Sequence, residues 1–133
     1  MTSNIQRLKG WLKPLECTPL HPQGLVLRNS GKTVRWLKRH ARGILVDIGC
    51  GNGHLRKLLP DTVRYIGIDY PTTMALGYSG KPDILADAAR LPIVGASVDT
   101  VVMLDVLEHL AEPGLAIAEA ARILRPGGQC LIH

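Results

Sequence analysis

Five short apolar runs recur along the chain, and polar or glycine-rich turns separate them. Runs that are apolar on both faces are typical of strands buried in a parallel sheet. We expect strands at 43–48, 63–68, 83–86, 98–104 and 128–132. Segments with helical spacing lie before and between them, at 30–41, 54–59, 71–77 and 113–124. Such alternation predicts an α/β fold in which right-handed crossovers make the sheet parallel.

The first predicted strand ends in a glycine-rich turn. Asp47 lies inside the apolar run, and glycines follow at alternate positions, at Gly49, Gly51 and Gly53. Glycine reaches positive φ readily and leaves no Cβ between the backbone and a ligand. A helix is expected directly after the turn, and a helix N-terminus at the carboxyl end of a parallel strand is where open α/β sheets bind ligands. The pattern therefore predicts a ligand site at this turn.

The chemistry around the turn favours a ligand with a cationic end. The spacing G-x-G-x-G departs from the G-x-G-x-x-G of dinucleotide-binding folds, and the carboxylate of Asp47 would repel a pyrophosphate. The second predicted strand ends in Asp69, 20 residues after Gly49, which is the separation expected of a ribose-binding acid. The alternative is that Asp69 caps a helix, because Pro71 follows it and proline favours the first helical turn.

The order Asp-x-Gly-x-Gly-x-Gly resembles motif I of the class I S-adenosylmethionine-dependent methyltransferases. Four later segments resemble the family's following segments in the same order, so that the resemblance covers roughly residues 31–133. The resemblance is nearest to the methyltransferase type 11 group, which acts on small molecules and lipids. It implies a Rossmann-like three-layer α/β/α sandwich, a parallel sheet of order 3-2-1-4-5 and S-adenosyl-L-methionine as the cofactor.

The resemblance also assigns roles to individual residues. It implies that Asp69 accepts hydrogen bonds from the ribose, and that Asp87 and the N–H of Ala88 meet the adenine. The full set of expected cofactor contacts is Asp47, Gly49, Cys50, Gly51, Gly53, Asp69, Tyr70, Asp87, Ala88 and Leu104.

One histidine is a candidate for catalysis. His109 follows the fourth predicted strand, near the place where the resemblance directs the methyl group. It could act as a general base if the acceptor arrives protonated. The alternative is a helix-start histidine that bonds the backbone or faces solvent. Asp105, Glu108 and His109 resemble the acid-x-x-Glu-His cluster of some metal-dependent members, but Asp replaces the usual first Glu, and no metal site is predicted.

Methyl transfer to a small-molecule or lipid acceptor is the leading hypothesis. The protein would chiefly align donor and acceptor and exclude water. Two other functions stay open: a non-catalytic cofactor-binding module or subunit, and an NAD(P)-dependent oxidoreductase. The position of the third glycine and the presence of Asp47 disfavour the oxidoreductase. The sequence does not identify the acceptor atom.

We expect two parts in the chain. Residues 1–28 form a leader that could act as a lid or as a plain connector, and residues 29–133 form the cofactor-binding domain. The family's usual sixth and seventh strands have no counterpart, so the domain is expected to be incomplete at its C-terminus. The apolar edge of strand five, near 130–132, would then be covered by a missing C-terminal segment or by a second copy in a homodimer.

Charge is distributed unevenly. Residues 1–42 carry nine Lys/Arg and one acid, whereas residues 43–133 carry seven Lys/Arg and ten acids. Ser30 is the expected cap of the first helix, whose basic positions share one face and are either solvated or in contact with an anionic surface. These positions are Lys32, Arg35, Arg39 and Arg42.

Three cysteines without zinc spacing favour a reducing compartment. No apolar run is long enough to span a membrane. We therefore expect a cytoplasmic protein.

Overall fold

A computed structural model describes residues 22–72 and 81–133, with side chains from residue 31 onward. The elements, in chain order, are α1 (Pro22–His40), β1 (Ile44–Ile48), a 3₁₀ helix (His54–Leu58), β2 (Arg64–Asp69), β3 (Ile84–Leu85), β4 (Val98–Met103), a second 3₁₀ helix (Leu107–His109), α2 (Pro113–Ile123) and β5 (Leu124–Ile132). All five expected strands are present, and their bounds differ from the expected ones mostly by one or two residues. Most of the helix expected at 71–77 lies outside the described residues.

The five strands form one parallel sheet in the order β3-β2-β1-β4-β5. This confirms the predicted order and the Rossmann-like fold. Ile48 of β1 is aligned with Ile68 of β2 and with Met103 of β4, and Met103 is aligned with Ile132 of β5. The carboxyl ends of four strands therefore meet along one edge of the sheet, where the glycine turn begins.

The hydrophobic core lies between the sheet and α2. Val46 and Ile48 of β1 are buried with Met103 of β4, and the same cluster includes Ala116 and Ala120 of α2. Small alanines on the inner face of α2 let the helix backbone approach the branched side chains of the strands closely. The central strand β1 is thereby packed on this face and paired with β2 and β4 on its two edges, so the turn that follows it begins inside the sheet.

Helix α1 begins earlier than the sequence indicated. It starts at Pro22, so that Ser30 lies within the helix and the predicted N-cap at Ser30 is wrong. Pro22 fits the first turn of a helix because the N–H that proline lacks would have no partner there anyway. The helix ends at His40, so Arg42 lies beyond it. The guanidinium of Arg42 donates to the carbonyl of Gly127 at 2.7 Å.

Two other elements differ in type or length. The segment expected as an α-helix at 54–59 is a single stretch of 3₁₀ helix. Strand β5 follows α2 without a loop, four residues before the strand predicted from residue 128. Its pairing with β4 shifts register between Val98 and Thr100, and Gly127 has a φ of 76°. A bulge of this kind lets a strand absorb Pro126, which cannot donate to the ladder.

The chain divides into two compact units, Met1–Trp36 and Leu37–His133. The described part of the first unit is helical, and the second unit contains the whole sheet. Most of the predicted leader, up to residue 21, lies outside the described residues, and the boundary expected after residue 28 stays a prediction. Among the described helices, none is both long and apolar enough to cross a bilayer.

Candidate active site

The glycine turn has the backbone conformation that its composition predicts. Gly49, Gly51 and Gly53 have φ values of 75°, 51° and 66°. The left-handed region is costly for residues with a Cβ, which explains why the turn alternates with glycine. The N–H groups of Gly49 and Cys50 both donate to the carbonyl of Ile68, at 2.8 and 3.0 Å. The turn is therefore anchored to the end of β2.

The carboxylate of Asp69 ties the turn to β2 a second time. Oδ2 of Asp69 accepts the N–H of Gly51 at 2.7 Å, and Oδ1 accepts the N–H of Tyr70 at the same distance. Asp69 is only 7% exposed. Each carboxylate oxygen has further acceptor capacity, so Asp69 can bridge the turn and still accept from a ligand hydroxyl.

A second carboxylate is buried beneath the turn. Asp47 is 3% exposed, and its Oδ2 accepts the hydroxyl of Tyr65 at 2.6 Å. Burial raises the pKa of Asp47 to about 6; the bond from Tyr65 opposes the rise and the nearby charge of Asp69 adds to it. Burial and the charge of Asp47 likewise raise the pKa of Cys50 to about 12, so its thiol is protonated at neutral pH.

Gly67 makes room for this buried group. It is aligned with Asp47 across β1 and β2, and a Cβ on Gly67 would lie 3.0 Å from both the sulfur of Cys50 and the hydroxyl of Tyr65. The missing side chain therefore lets Tyr65 reach Asp47 and lets Cys50 pack against β2. Burial together with the Asp47 carboxylate raises the pKa of the Tyr65 hydroxyl, which remains a donor.

Asp83 and Arg56 close the outer side of this cluster. Oδ2 of Asp83 accepts the N–H of Gly67 at 2.7 Å and the guanidinium of Arg56 at 2.6 Å. The guanidinium lies 4.7 Å from the centre of the Tyr65 ring. Burial raises the pKa of Asp83, but the hydrogen bonds from Gly67 and Arg56 outweigh it and leave that pKa below its ordinary value.

The two carboxylates at the ends of β1 and β2 decide what the site can bind. The charge of Asp69 adds to the cost of ionising the buried Asp47. A pyrophosphate at the turn would meet this negative potential, whereas an ammonium or sulfonium would be attracted by it. The charge at the turn thus favours a ligand with a cationic end.

A family comparison agrees with this geometry. The family whose description is "methyltransferase domain" matches residues 46–132, which include the glycine turn and every strand from β2 to β5. The chain belongs to this methyltransferase domain family. The resemblance seen in the sequence is thereby confirmed, and S-adenosylmethionine is the cofactor that the family assigns to the domain.

Individual relatives match the methyltransferase domain over part of their length. A protein of Mycolicibacterium smegmatis, named as an S-adenosylmethionine-dependent methyltransferase, is 34% identical over 113 residues, which cover 73% of this chain and 44% of the relative. The 27-O-demethylrifamycin SV methyltransferase of Amycolatopsis mediterranei is 37% identical over 97 residues, covering 64% of this chain and 36% of that protein. The chain thus spans less than half the length of either relative.

The fold is shared with solved structures. A crystal structure of a Pyrococcus horikoshii OT3 protein superposes with a TM-score of 0.65 at 22% identity, and covers 88% of this chain and 57% of that one. Identity at this level bears on the fold alone. It agrees with the parallel sheet of the methyltransferase domain.

The structure places the predicted cofactor contacts in three groups. The glycine turn, Asp69 and Tyr70 lie together at the ends of β1 and β2, and Tyr70 is half-exposed beside Asp69. Asp47 and Cys50 belong to the cluster beneath the turn rather than to its surface. The remaining contacts follow the neighbouring strands: Asp87 and Ala88 follow β3, and Leu104 follows β4.

Asp87 already caps its own turn. Its Oδ1 accepts the N–H of Ala89 at 2.8 Å, and its carbonyl accepts the N–H of Arg90. The side chain is exposed and Ala88 is buried. An aspartate that stabilises its turn in this way keeps a fixed orientation.

The turn after β4 packs directly on the glycine turn. A Cβ on Gly49 would overlap the side chain of Val106, so glycine is required there for close contact as well as for φ. His109 lies in the 3₁₀ helix that follows; its N–H donates to the carbonyl of Val106 at 3.0 Å and its side chain is exposed. Within 22–72 and 81–133, no group of three or more His, Cys, Asp or Glu side chains could hold a metal ion.

Sequence reasoning missed Tyr65, Asp83 and Arg56. The one available signal was Tyr65 two positions before Gly67, because residues two apart on a strand share a face. Neither Asp83 nor Arg56 belongs to a recognisable sequence motif, and the two residues are brought together only by the fold.

Proposed function

We propose that the chain binds S-adenosylmethionine across the carboxyl ends of β1 and β2 and takes part in methyl transfer to a small-molecule or lipid acceptor in the cytoplasm. The observation that carries the proposal is the bridge from Asp69 Oδ2 to the Gly51 N–H beside the buried carboxylate of Asp47. This arrangement combines a glycine backbone without Cβ atoms, a carboxylate that can accept from the ribose, and a negative potential for the cationic end of the cofactor.

Each residue has a distinct role in this proposal. Asp69 accepts from the ribose hydroxyls, and charge-assisted bonds of this kind are the stronger ones. Asp47 attracts the cationic amino acid end through its charge, because its burial leaves little surface for direct contact. Asp87 and the backbone of Ala88 meet the adenine, and the half-exposed ring of Tyr70 lies where it can cover the nucleoside.

S-adenosylmethionine supplies an activated methyl group, since its sulfur is a sulfonium that leaves as a neutral thioether. The domain's own residues align the acceptor and exclude water. An oxygen acceptor is supported by the Amycolatopsis relative, whose name places its methyl group on an oxygen. The free thiols of Cys50 and Cys130 support a reducing compartment.

Two surfaces of the domain are proposed to contact partners. Lys32, Arg35 and Arg39 are exposed on α1 and could contact an anionic surface, but Arg42 lies off the helix and bonds Gly127. Strand β5 pairs with β4 on one side only within the described sheet. A further segment or a second copy of the chain would satisfy its other side.

Calorimetric titration of S-adenosylmethionine and of NADH into the purified chain tests the proposal. We expect saturable binding of the first and none of the second. Asp69→Asn keeps an acceptor for Gly51 but loses the charge, and should weaken binding about tenfold or more, which is at least ~1.4 kcal/mol. Gly51→Val should abolish binding, because a β-branched side chain cannot adopt a φ of 51° without strain.

Matched variants separate binding from folding. Asp61→Asn changes an exposed carboxylate of the turn before β2, and Gly114→Val changes a glycine in α2 whose Cβ would meet nothing within 4 Å. Both should bind as the wild type does. Tight NADH binding, or undiminished S-adenosylmethionine binding in Gly51→Val with an unchanged melting curve, would contradict the proposal.

The non-catalytic module remains the second candidate, because the chain spans only part of its relatives. It predicts the same titration but no methyl transfer. Incubation with S-adenosylmethionine and a panel of phenols, alcohols and fatty acids distinguishes the two.

A further inference from the structure

The carboxyl ends of β4 and β5 bring Asp105 and His133 together. The N–H of Asp105 donates to the carbonyl of His133 at 3.1 Å, and the N–H of His133 donates to the carbonyl of Met103 at 3.0 Å. Nδ1 of His133 lies 3.2 Å from Oδ1 of Asp105. Backbone and side-chain contacts therefore fix the two residues relative to each other.

The backbone of Asp105 is unusual. Its φ is 53°, in the left-handed region where only two non-glycine residues of the described chain lie. This conformation costs free energy, and residues held in it are concentrated at functional sites. Here it accompanies a carboxylate that faces the imidazole of His133, the residue directly after β5.

The pair lies beside the glycine turn. Met103 is aligned with Ile48, which precedes the turn, and with Ile132, which precedes His133. Val106, next to Asp105, packs on Gly49. Asp69 lies on the opposite side, at the end of β2, so a nucleoside held there leaves the β4–β5 side for the methyl acceptor.

We propose that His133 is the general base for a hydroxyl acceptor and that Asp105 is the residue that positions it; this inference rests on the proposed function. A carboxylate that accepts from Nδ1–H fixes the tautomer in which Nε2 is the acceptor. The same arrangement of base and orienting carboxylate activates hydroxyls in other enzymes.

The step balances without a further reactant. The hydroxyl oxygen of the acceptor forms a bond to the methyl carbon as the carbon–sulfur bond breaks, and that electron pair stays on sulfur. The hydroxyl proton passes to Nε2 of His133, while the contact between Nδ1 and Asp105 Oδ1 keeps the ring in place. A phenol or alcohol needs this help because it holds its proton at neutral pH.

The tautomer can be measured on the chain as it is, without any acceptor. Nitrogen-15 shifts of the histidines, recorded where the rings are neutral, should show the proton of His133 on Nδ1; His133→Gln assigns the signal. In Asp105→Gly, which tolerates the positive φ but lacks the carboxylate, this preference should be lost. A wild-type proton on Nε2, or identical shifts in Asp105→Gly, would overturn the proposal.

Kinetics test the role in catalysis. With phenol as acceptor, His133→Gln should lower the methylation rate at least ~100-fold, and Asp105→Asn should lower it less, both with an unchanged affinity for S-adenosylmethionine. With 4-nitrophenol, at a pH where it is already ionised, both variants should react at nearly the wild-type rate. A purely structural role would reduce both reactions equally.

Other outcomes are equally decisive. Full activity of His133→Gln with phenol, or a loss found only in His109→Gln, would overturn the proposal. If S-adenosylmethionine does not bind, the proposed function fails, whereas an unchanged affinity with no phenol-specific loss defeats this inference alone. If neither phenol is methylated, the tautomer measurement still decides whether Asp105 orients His133.

Discussion

The hydroxyl of Tyr65 donates to Oδ2 of the buried Asp47 at 2.6 Å, across the two strands that lead into the candidate site. The contact bears on two quantities, the stability of the fold and the charge at the candidate site. A carboxylate that is 3% exposed is costly to ionise, yet in the proposed function its charge attracts the cationic end of the cofactor. The hydroxyl of Tyr65 supports this group, and variants of Tyr65 and of Asp47 separate the two effects.

Replacement of Tyr65 by phenylalanine should destabilise the fold, and the loss should be larger at pH 8 than at pH 5. The variant keeps the ring beneath Arg56 but leaves the Asp47 carboxylate without its donor, which costs roughly 1–3 kcal/mol. At pH 5 the loss should be smaller, because Asp47, with a pKa near 6, is then mostly neutral. Urea unfolding at pH 5 and pH 8 measures both values.

Tyr70→Phe is the matched control for this prediction, since Tyr70 is 50% exposed. Its free energy of unfolding should equal that of the wild type at both pH values. Equal losses in Tyr65→Phe at pH 5 and pH 8 would mean that the hydroxyl does not support the ionised form of Asp47.

Asp47→Asn should stabilise the protein above pH 6 and weaken cofactor binding. The pKa of Asp47 is raised from 3.8 to about 6 in the fold, so the folded state binds more protons than the unfolded one between these values. The stability that Asp47 contributes through its raised pKa is therefore fully present below pH 4 and is lost as pH rises through 6. The cost at pH 8 is up to about 3 kcal/mol, which the neutral amide should largely recover.

Urea unfolding between pH 4 and pH 8 checks this prediction, and calorimetry checks binding. Asp61→Asn, at an exposed position, serves as the control and should keep the wild-type pH profile. The expected result is a flatter profile for Asp47→Asn together with a lower affinity for S-adenosylmethionine. An unchanged profile would show that Asp47 ionises in the fold as easily as in the unfolded chain.

The glycine turn offers a comparison of steric and conformational cost. Both Gly49 and Gly53 have positive φ, so alanine at either position should cost about 1–2 kcal/mol from backbone strain. At Gly49 the new Cβ would also overlap Val106, which adds roughly 1–3 kcal/mol. At Gly53 the nearest atom, the Tyr65 hydroxyl, is 4.0 Å away, and no steric cost is expected.

Thermal and urea unfolding of Gly49→Ala and Gly53→Ala gives the difference between their free energies of unfolding directly. Adding Val106→Ala to Gly49→Ala should recover part of the loss, whereas adding it to Gly53→Ala should not. If Gly49→Ala and Gly53→Ala are equally unstable, the close packing of Val106 on the turn has no energetic weight.

The sequence was sufficient where local chemistry decides structure. Apolar runs located the strands, and the alternating glycines predicted a turn that the structure shows in the left-handed region. Asp47 and Asp69 could be placed because each lies in or ends a strand, and parallel strands present their carboxyl ends at one edge. The strand order came from the family resemblance, not from the pattern of residues.

Contacts between distant residues could not be read in this way. His133 and Asp105 are 28 positions apart and meet only because Met103 and Ile132 are in register. The bond between Asp83 and Gly67 depends on the register of β2 and β3, which aligns the next residues, Ile84 and Ile68. The start of α1 at Pro22 was missed because proline has opposite effects at the first turn and in the interior of a helix.

Asp99 provides a last test, at the opposite end of the sheet from the candidate site. It is 3% exposed, its Oδ2 accepts the N–H of Ile44 at 2.8 Å, and its carboxylate pairs with the guanidinium of Arg125. Arg125 is half-exposed. If the ion pair is lost, water can therefore solvate the guanidinium of Arg125 but not the buried carboxylate of Asp99.

Arg125→Gln should consequently destabilise the protein more than Asp99→Asn does. The first leaves an anion buried without a cation, on the order of 1–3 kcal/mol after allowance for the exposed partner. The second removes the anion, keeps an acceptor for Ile44 and leaves a guanidinium that water can solvate. The double variant should be about as stable as Asp99→Asn alone. Urea unfolding of the three variants measures the cycle, and a larger loss in Asp99→Asn would show that the buried carboxylate is a net stabiliser even without Arg125.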